Sequence, residues 1–197
     1  MSLAVVTDAL IVGCWVGLVA DNGWMALRER PVRDGDQRAA SPAVRLGVLG
    51  LLVFGVALLE RRTGGRLGFH VLGSVAGVGC AVAGLLLHMW ARRALGVRWS
   101  SAVAAPPGQQ VVTSGPYAFV RHPIYLGVLL LAAGTLVAHP SVATACVAAG
   151  LATGAMRKIA AEERVLRTAC GQAWRRYAAA VPMLLPRPSA LIKRAWR

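Results

Sequence analysis

The chain has 197 residues, of which 56% are hydrophobic and only 15% are charged, and its mean hydropathy is +0.56. So apolar a composition excludes an ordinary soluble domain of this length and favours a polytopic membrane protein. The formal net charge of +14 could serve nucleic acid or anionic lipid, but the apolar runs between the basic clusters favour lipid and leave no expected nucleic-acid partner.

Five apolar segments predict an all-α protein with about five transmembrane helices. They cover Leu3–Ala20, Leu46–Leu59, Leu67–Trp90, Ile124–Ala138 and Pro140–Met156. A spanning helix needs about 20 residues, so the second and fourth segments must borrow flanking residues or tilt less. Only His139 and Pro140 separate the last two segments. Because proline cannot continue the preceding helix, this junction predicts a tight antiparallel helical hairpin.

Basic clusters predict the orientation of the chain in the membrane. They follow the first and third segments, and ten Lys or Arg lie from Arg157 onward. All these clusters fall on one side, so the positive-inside rule places the N-terminus outside and the C-terminus in the cytoplasm, with Arg61, Arg62 and Arg66 as the exception. The richness in Ala, Gly, Val and Arg indicates a high-GC bacterium, and hence its cytoplasmic membrane.

Small residues and cysteines in the apolar segments have structural interpretations. Gly73 and Gly77 form a small-xxx-small pair that favours close helix packing in lipid. The four cysteines are scattered, without a CxxC pair, so we expect neither a metal site nor a disulfide framework. The stretch Ala91–Gly115 contains Pro106, Pro107 and Gly108 and is predicted to be an irregular connection.

An isolated pair of acids, Glu162 and Glu163, is the first place where the sequence points to chemistry. After Glu60 they are the only carboxylates in the chain. At 100° per residue both lie on an apolar arc of one helix, whereas the neighbouring arginines point away. The arc contains Val165, Leu166, Ala169, Cys170, Ala173, Trp174 and Tyr177, and the arginines are Arg164, Arg167 and Arg175.

The simplest alternative is that this pair only complements a helix dipole, which is worth about 0.3 to 1 kcal/mol. A carboxylate on an apolar face, however, costs several kcal/mol unless a cation meets it. We therefore expect a positive group beside Glu162 and Glu163.

The stretch GPYAFVRHPIYLG, residues 115–127, offers such groups. Arg121 and His122 are donors at the start of the fourth segment, Pro123 suits the first turn of a helix, and Gly127 leaves room beside it. A helix N-terminus of this kind is ready for an anion.

Each polar side chain in this stretch also has a structural alternative. Arg121 could reach toward lipid headgroups, His122 could form hydrogen bonds at the interface, and Tyr117 and Tyr125 could be aromatic-belt anchors. Taken together with the two glutamates, they describe a ligand that bears both a carboxylate and cationic centres. S-adenosylmethionine is a ligand of this type.

Four stretches carry a family resemblance: RRALGVRWS (92–100), VVTSGPYAFVRHPIYLG (111–127), EERVL (162–166) and WRRYAAAVPMLLP (174–186). In order and spacing they resemble the isoprenylcysteine carboxyl methyltransferase and phospholipid methyltransferase superfamily, over about half of the chain. The resemblance implies an integral membrane enzyme that binds S-adenosylmethionine between the last membrane hairpin and an amphipathic cytosolic helix. It divides one membrane domain into N-terminal helices (1–90), a cofactor-binding core (91–186) and a basic tail (187–197).

The resemblance also implies site residues. The cofactor contacts would come from Gln110, Val111, Val112, Gly115, Pro116, Tyr117, His122, Pro123, Tyr125, Leu126, Gly127, Glu162 and Glu163. Arg98, Trp99 and Arg121 are candidates for the substrate side. Gln110 stands where some members have a histidine.

The expected activity is methyl transfer by positioning, with no covalent nucleophile. A carboxylate acceptor needs no general base, whereas an ammonium acceptor must first lose a proton. The sequence shows no clearly placed base and therefore favours the carboxyl group of an isoprenoid, isoprenylcysteine-like or other lipid-linked substrate that arrives through the bilayer. The alternatives are a phospholipid amine N-methyltransferase and a non-catalytic membrane protein whose basic tail binds anionic lipid.

Overall fold

The structure is a computed structural model that describes residues 3–28, 55, 71–96 and 111–186. Its helices are α1 (Leu3–Arg28), α2 (Val71–Leu95), α3 (Pro123–Ala138) and α4 (Val142–Ala180), with a 3₁₀ turn over Gly115–Ala118. These ranges contain no strand, which confirms the all-α prediction. The predicted second segment, apart from Gly55, lies outside the described residues.

Two of the described helices, α1 and α2, are long and apolar enough to cross a membrane, over Val5–Trp24 and Val71–Leu95. Helix α3 is apolar but has 16 residues, which at about 1.5 Å per residue is shorter than a hydrocarbon core of about 30 Å. The described residues therefore support two membrane spans, and the predicted count of five is not established.

The hairpin between α3 and α4 forms where the sequence predicts it. Helix α3 ends as the His139 backbone N–H donates to the Thr135 carbonyl at 2.8 Å. Ser141 then caps α4: its hydroxyl accepts from the Thr144 backbone N–H at 3.1 Å, and the Thr144 hydroxyl accepts from the Ser141 backbone N–H at 3.0 Å. This reciprocal cap fixes the start of α4 directly after the turn.

Helix α4 corrects the prediction of a separate cytosolic helix. It covers 39 residues from the hairpin to Ala180 with a kink at Gly171, and the part before the kink joins the last apolar segment to Glu162 and Glu163 in one helix. Its one non-helical residue is Gly171, at φ 51° and ψ −118°. The predicted arc assumed one regular helix. Because Gly171 shifts the rotation, Trp174 and Tyr177 are buried while Ala169 and Ala173 are exposed.

Glycines allow α2 and α3 to meet backbone to backbone. A Cβ on Gly84 would lie 2.5 Å from the Gly127 carbonyl oxygen, and a Cβ on Gly134 would lie 2.5 Å from the Gly77 carbonyl oxygen. Gly77 is thus a packing glycine, as predicted. Gly84, two turns further along α2, packs against α3 in the same way.

Helix α1 packs on this pair through large apolar side chains. Ile11, Trp15 and Leu18 are almost fully buried together with Leu131 of α3. The Trp15 indole N–H donates to the Thr135 hydroxyl at 3.1 Å. The core thus holds α3 between α1, α2 and α4, so that the first turn of α3 is fixed from several sides.

Candidate functional site

The residues that enter α3 form a compact turn before the helix begins. Gly115 has a φ of 60°, a left-handed conformation that favours glycine, and its added Cβ would lie 3.1 Å from Ala94 Cβ on α2. The Val120 backbone N–H donates to the Pro116 carbonyl at 3.2 Å. This turn directs the chain so that His122 is the residue before the first helical position, Pro123.

Both glutamates of α4 contact side chains at the start of α3. The Tyr125 hydroxyl donates to Glu162, and His122 Nε2 donates to Glu163 Oε1 at 3.2 Å. His122 Nδ1 lies 3.8 Å from Glu162 Oε2. The imidazole thus faces both carboxylates, and it is only 5% exposed. Both acids thus meet hydrogen-bond donors from the start of α3.

Arg121 is the cation of the cluster. Its Nη2 lies 3.0 Å from Glu163 Oε1, and its Nη1 donates to the Ala178 carbonyl at 3.1 Å. Its guanidinium also lies over the Trp174 ring, 5.9 Å from the centroid. Arg121 therefore lies on the glutamate side of the site and joins it to the chain beyond Gly171.

The segment after Gly171 closes against the turn that precedes α3. The Tyr177 hydroxyl donates to the Tyr117 carbonyl at 2.7 Å. The backbone N–H groups of Arg121 and His122 donate to the carbonyls of Pro182 and Met183 at 2.9 and 3.1 Å. A small apolar cluster of Trp174, Tyr177 and Val181, with Val111 and Leu166 beside it, fills the space between them. This cluster is distinct from the main core.

Burial controls the electrostatics of this cluster. Desolvation raises the pKa of Glu162, although the hydrogen bond from Tyr125 and the charge of Lys158 oppose the rise. Desolvation lowers the pKa of His122, and Arg121 lowers it further, while Glu163 works in the opposite direction. Burial also lowers the pKa of Lys158, one turn before Glu162. Burial therefore disfavours the charged forms of both His122 and Glu162.

Tyr117 connects this cluster to α2. Its hydroxyl pKa is raised above its ordinary value, first by burial and then by Tyr177 and Glu162, while the positive charge of Arg92 opposes the rise. The charges of both Glu162 on α4 and Arg92 on α2 therefore act on the Tyr117 hydroxyl.

The remaining predicted cofactor residues have different surroundings. Val111 packs on the cluster around Trp174, and Pro116 and Pro123 are buried in the turn and the first turn of α3. Val112 and Leu126 are partly buried. These cofactor contacts stay predictions.

Gly127 faces α2 rather than the glutamates. Its added Cβ would lie 2.6 Å from the Gly84 carbonyl oxygen and 2.9 Å from His88 Cβ, so helix packing alone explains this glycine. Gln110, Arg98 and Trp99 lie outside the described residues.

Sequence reasoning missed a second polar cluster near the first turn of α3. Asp21 of α1 lies 3.5 Å from Arg92 Nε and 3.9 Å from His88 Nε2 on α2. The signal was present: an acid inside an apolar segment, and a histidine and an arginine four residues apart on another. This cluster was missed because local sequence patterns do not show which residues of two distant helices lie in contact.

The two apolar helices long enough to span a membrane indicate an integral membrane protein, and an acid, histidine, tyrosine and arginine cluster forms a polar site between α3 and α4. The model of the isoprenylcysteine carboxyl methyltransferase (ICMT) family matches residues 77–168, just under half of the chain. This match confirms the family resemblance over these residues. Among curated proteins no match to the chain was found. The matched range contains most of α2, all of α3 and both glutamates, and it excludes α1.

Proposed function

We propose that the protein is an S-adenosylmethionine-dependent methyltransferase that methylates the carboxyl group of an isoprenoid, isoprenylcysteine-like or other lipid-linked substrate. The observation that carries the proposal is the meeting of His122, Tyr125 and Arg121 with Glu162 and Glu163 where α4 continues beyond its apolar part. The family match supports the same reaction class.

The residues present fit the cofactor. Glu162 and Glu163 are acceptors suited to an ammonium, a sulfonium or the hydroxyls of a ribose. Two buried donors, Arg121 Nε and Trp174 Nε1, have no hydrogen-bond partner among the described residues. Unpaired buried donors beside carboxylates match a ligand that carries both a carboxylate and cationic groups. These four residues, with His122, would hold the cofactor.

The protein's contribution to the reaction is binding, orientation and exclusion of water. When bound, S-adenosylmethionine supplies a methyl group activated by its sulfonium. The segment after Gly171 shields the site, because it closes against the turn that contains Tyr117. Holding reactants in an aligned geometry contributes on the order of 7 to 11 kcal/mol, so positioning can carry the reaction without a covalent nucleophile.

The neighbouring membrane supports a lipophilic acceptor. Helices α1 and α2 expose large apolar side chains, such as Leu10 on α1 and Leu72 and Leu86 on α2. These side chains suit contact with lipid along both candidate membrane spans. A substrate that shares the bilayer with these helices reaches the level of α3 without crossing water. Membrane lipid and a lipophilic or prenylated substrate are therefore the proposed partners.

A phospholipid amine N-methyltransferase is the second candidate, and one observation favours it. An ammonium acceptor must lose a proton before it can attack. Glu162 is a buried carboxyl group whose pKa is raised, so it can accept a proton at higher pH than an exposed glutamate. The sequence alone did not identify such a base.

Incubating membranes that contain the protein with S-adenosylmethionine labelled in the methyl group tests the proposal. We expect label in a lipid-soluble product, and release of volatile methanol by mild alkali would identify a methyl ester. An alkali-stable label on a phospholipid amine would favour the second candidate. A purified protein that neither binds the cofactor nor transfers label would overturn both and leave a non-catalytic, lipid-binding protein.

A further inference from the structure

The acid Asp21 lies in α1, outside the family-matched residues, yet it joins a cluster on the matched helix α2. Its carboxylate lies 3.5 Å from Arg92 Nε and 3.9 Å from His88 Nε2. His88 and Arg92 are one helical turn apart and are 2% and 1% exposed. A carboxylate and a guanidinium are costly in an apolar bundle unless they are paired, so this contact constrains how α1 sits on α2.

His88 connects α2 to the first turns of α3. Its Nδ1 lies 3.4 Å from the Ile124 carbonyl oxygen, which can only accept a hydrogen bond, and Gly127 packs directly against His88 Cβ. Ile124 and Gly127 belong to the first turns of α3. The same turns present His122 and Tyr125 to the glutamates on the opposite side. The first turn of α3 is thus held between His88 behind it and the cofactor site in front of it.

Arg92 provides a second connection to the site. The 3₁₀ turn packs on the end of α2, where the added Cβ of Gly115 would lie 3.1 Å from Ala94 Cβ and 3.6 Å from the Trp90 indole nitrogen. Arg92 lies in the last turn of the same helix, and its positive charge opposes the rise in the pKa of Tyr117, which belongs to the 3₁₀ turn. Asp21 therefore contacts the two residues of α2 that adjoin the two parts of the site, the turn and the first turn of α3.

We propose that Asp21 is a positioning residue for the cofactor site. By pairing with Arg92, one turn from His88, it fixes how α1 and α2 present His88 to the first turn of α3, and so the placement of His122 and Tyr125 against Glu162 and Glu163. This inference rests on the proposed function and extends it, because it gives α1 a part in the site. Asp21 acts through other residues and does not itself touch the cofactor.

Helix α1 contains a matched control. Asp8 lies 3.5 Å from His139 Nε2 at the opposite end of α3, so it forms the same kind of acid–histidine contact. Asp8 and Asp21 are 13 positions apart, or about 20 Å along the helix. Removal of either carboxylate disturbs a buried contact of α1, but only Asp21 lies on the side of His122.

The test compares Asp21→Ala with Asp8→Ala in the purified full chain. Melting temperature and S-adenosylmethionine affinity are measured on the same detergent-solubilised samples. We expect both variants to melt at lower temperature than the wild type. Only Asp21→Ala should bind the cofactor more weakly, by about 10- to 100-fold, because small misplacements of positioning groups cost about that much.

A second variant addresses the unpaired charge that Asp21→Ala leaves on Arg92. In Asp21→Ala/Arg92→Leu both charges are gone, so we expect part of the stability to return while the affinity stays low. Wild-type affinity in either folded Asp21 variant, or an equal loss in Asp8→Ala, would overturn the inference while leaving the proposed function intact. Failure of both Asp21 variants to fold would also overturn it, since Asp21 would then be a folding residue. If the wild type binds no S-adenosylmethionine, the proposed function fails and this inference fails with it.

Discussion

The two faces of α3 are held by opposite means. Toward α2, glycines bring the two backbones together, and the added Cβ atoms of Gly84 and Gly134 would lie 2.5 Å from backbone atoms of the facing helix. Toward α4, long polar side chains keep the helices apart: His122 and Tyr125 reach Glu162 and Glu163. The face of α3 toward α2 has no room for a further side chain at these glycines. The face toward α4 consists of polar side chains that can form hydrogen bonds with a ligand instead of with each other.

This difference separates scaffold from site. Close backbone packing is the usual means of association between helices in lipid, where there is no hydrophobic driving force. Buried carboxylates are a poor means of association, because their desolvation can exceed the attraction that they gain. Their presence on the α4 side agrees with the proposed cofactor site, and the predictions below test whether binding and stability divide between the two faces in this way.

The largest expected effect is on the polar face. Replacing both acids, as Glu162→Gln/Glu163→Gln, removes two charged acceptors while keeping their shape. At about 1.5 to 3 kcal/mol for each charged hydrogen bond, the cofactor should lose about 3 to 6 kcal/mol of binding free energy, which abolishes detectable binding. Calorimetric titration with S-adenosylmethionine measures the loss, and the melting curve reports whether the fold is retained. Wild-type affinity in the double variant would remove the acids from the site.

On the glycine face the expected effect is on folding. In Gly84→Ala the new Cβ would lie 2.5 Å from the Gly127 carbonyl oxygen and 2.7 Å from the Leu131 backbone nitrogen. Neither backbone atom can move freely, so we expect a loss of about 3 kcal/mol or more in stability. Thermal melting in detergent measures it.

Gly79→Ala is the matched control for that variant, because an added Cβ at Gly79 meets nothing within 4 Å. It lies on the same helix and should be neutral or stabilising by up to about 1 kcal/mol, since alanine favours helix over glycine. Equal melting temperatures for the two variants would mean that the close packing of α2 on α3 is not what holds them together.

The sequence indicated much of the polar face and less of the scaffold. The turn at His139 and Pro140 was predictable because proline ends a helix at a short junction. The burial of Glu162 and Glu163 followed from their positions on an apolar arc, and the cationic neighbours from the cost of burying charge. These inferences used the helical periodicity of the local sequence and the energetic cost of burying an unpaired charge.

The features that sequence reasoning missed depend on distant partners. The close packing of Gly127 on Gly84 was missed because the two glycines lie 43 positions apart, which local patterns do not reveal, and the cofactor contact of Gly127 stays a prediction. The Asp21 contact with Arg92 was missed for the same reason. The kink at Gly171 was missed for a different reason. A single glycine inside a regular helical pattern does not by itself predict a positive φ angle.

A smaller effect separates the two buried histidines of the hairpin. His122→Ala removes the ring that faces both glutamates; if the ring N–H donates to the cofactor's carboxylate in the complex instead of to Glu163, binding should weaken by about 1.5 to 3 kcal/mol, or about 10- to 150-fold. His139→Ala, at the other end of α3 beside Asp8, is the control and should change the melting temperature but not the affinity. If His122→Ala lowers only the melting temperature, His122 is an interfacial anchor.

The smallest expected effect is the dependence of cofactor binding on pH, and it follows from Glu162. Burial raises the pKa of this carboxyl group above its ordinary value of 4.5. As pH falls through the raised pKa, the group becomes neutral and no longer attracts a cationic ligand. Cofactor affinity should therefore decrease on acidification, by at most about tenfold per pH unit for a single proton.

The same shift acts on the stability of the cofactor-free protein in the opposite direction. Between 4.5 and the raised pKa, the folded state holds a proton at Glu162 that the unfolded state has lost, so acidification stabilises the fold there. The lowered pKa of His122 opposes this below 6.5, because the unfolded state takes up that proton first. The difference between wild type and Glu162→Gln isolates the glutamate, since the variant keeps His122 but cannot titrate at position 162. Acidification should lower affinity in the wild type more steeply than in Glu162→Gln, while the wild type gains thermal stability relative to the variant. Parallel pH profiles for the two proteins would show that Glu162 does not meet the cofactor's charge.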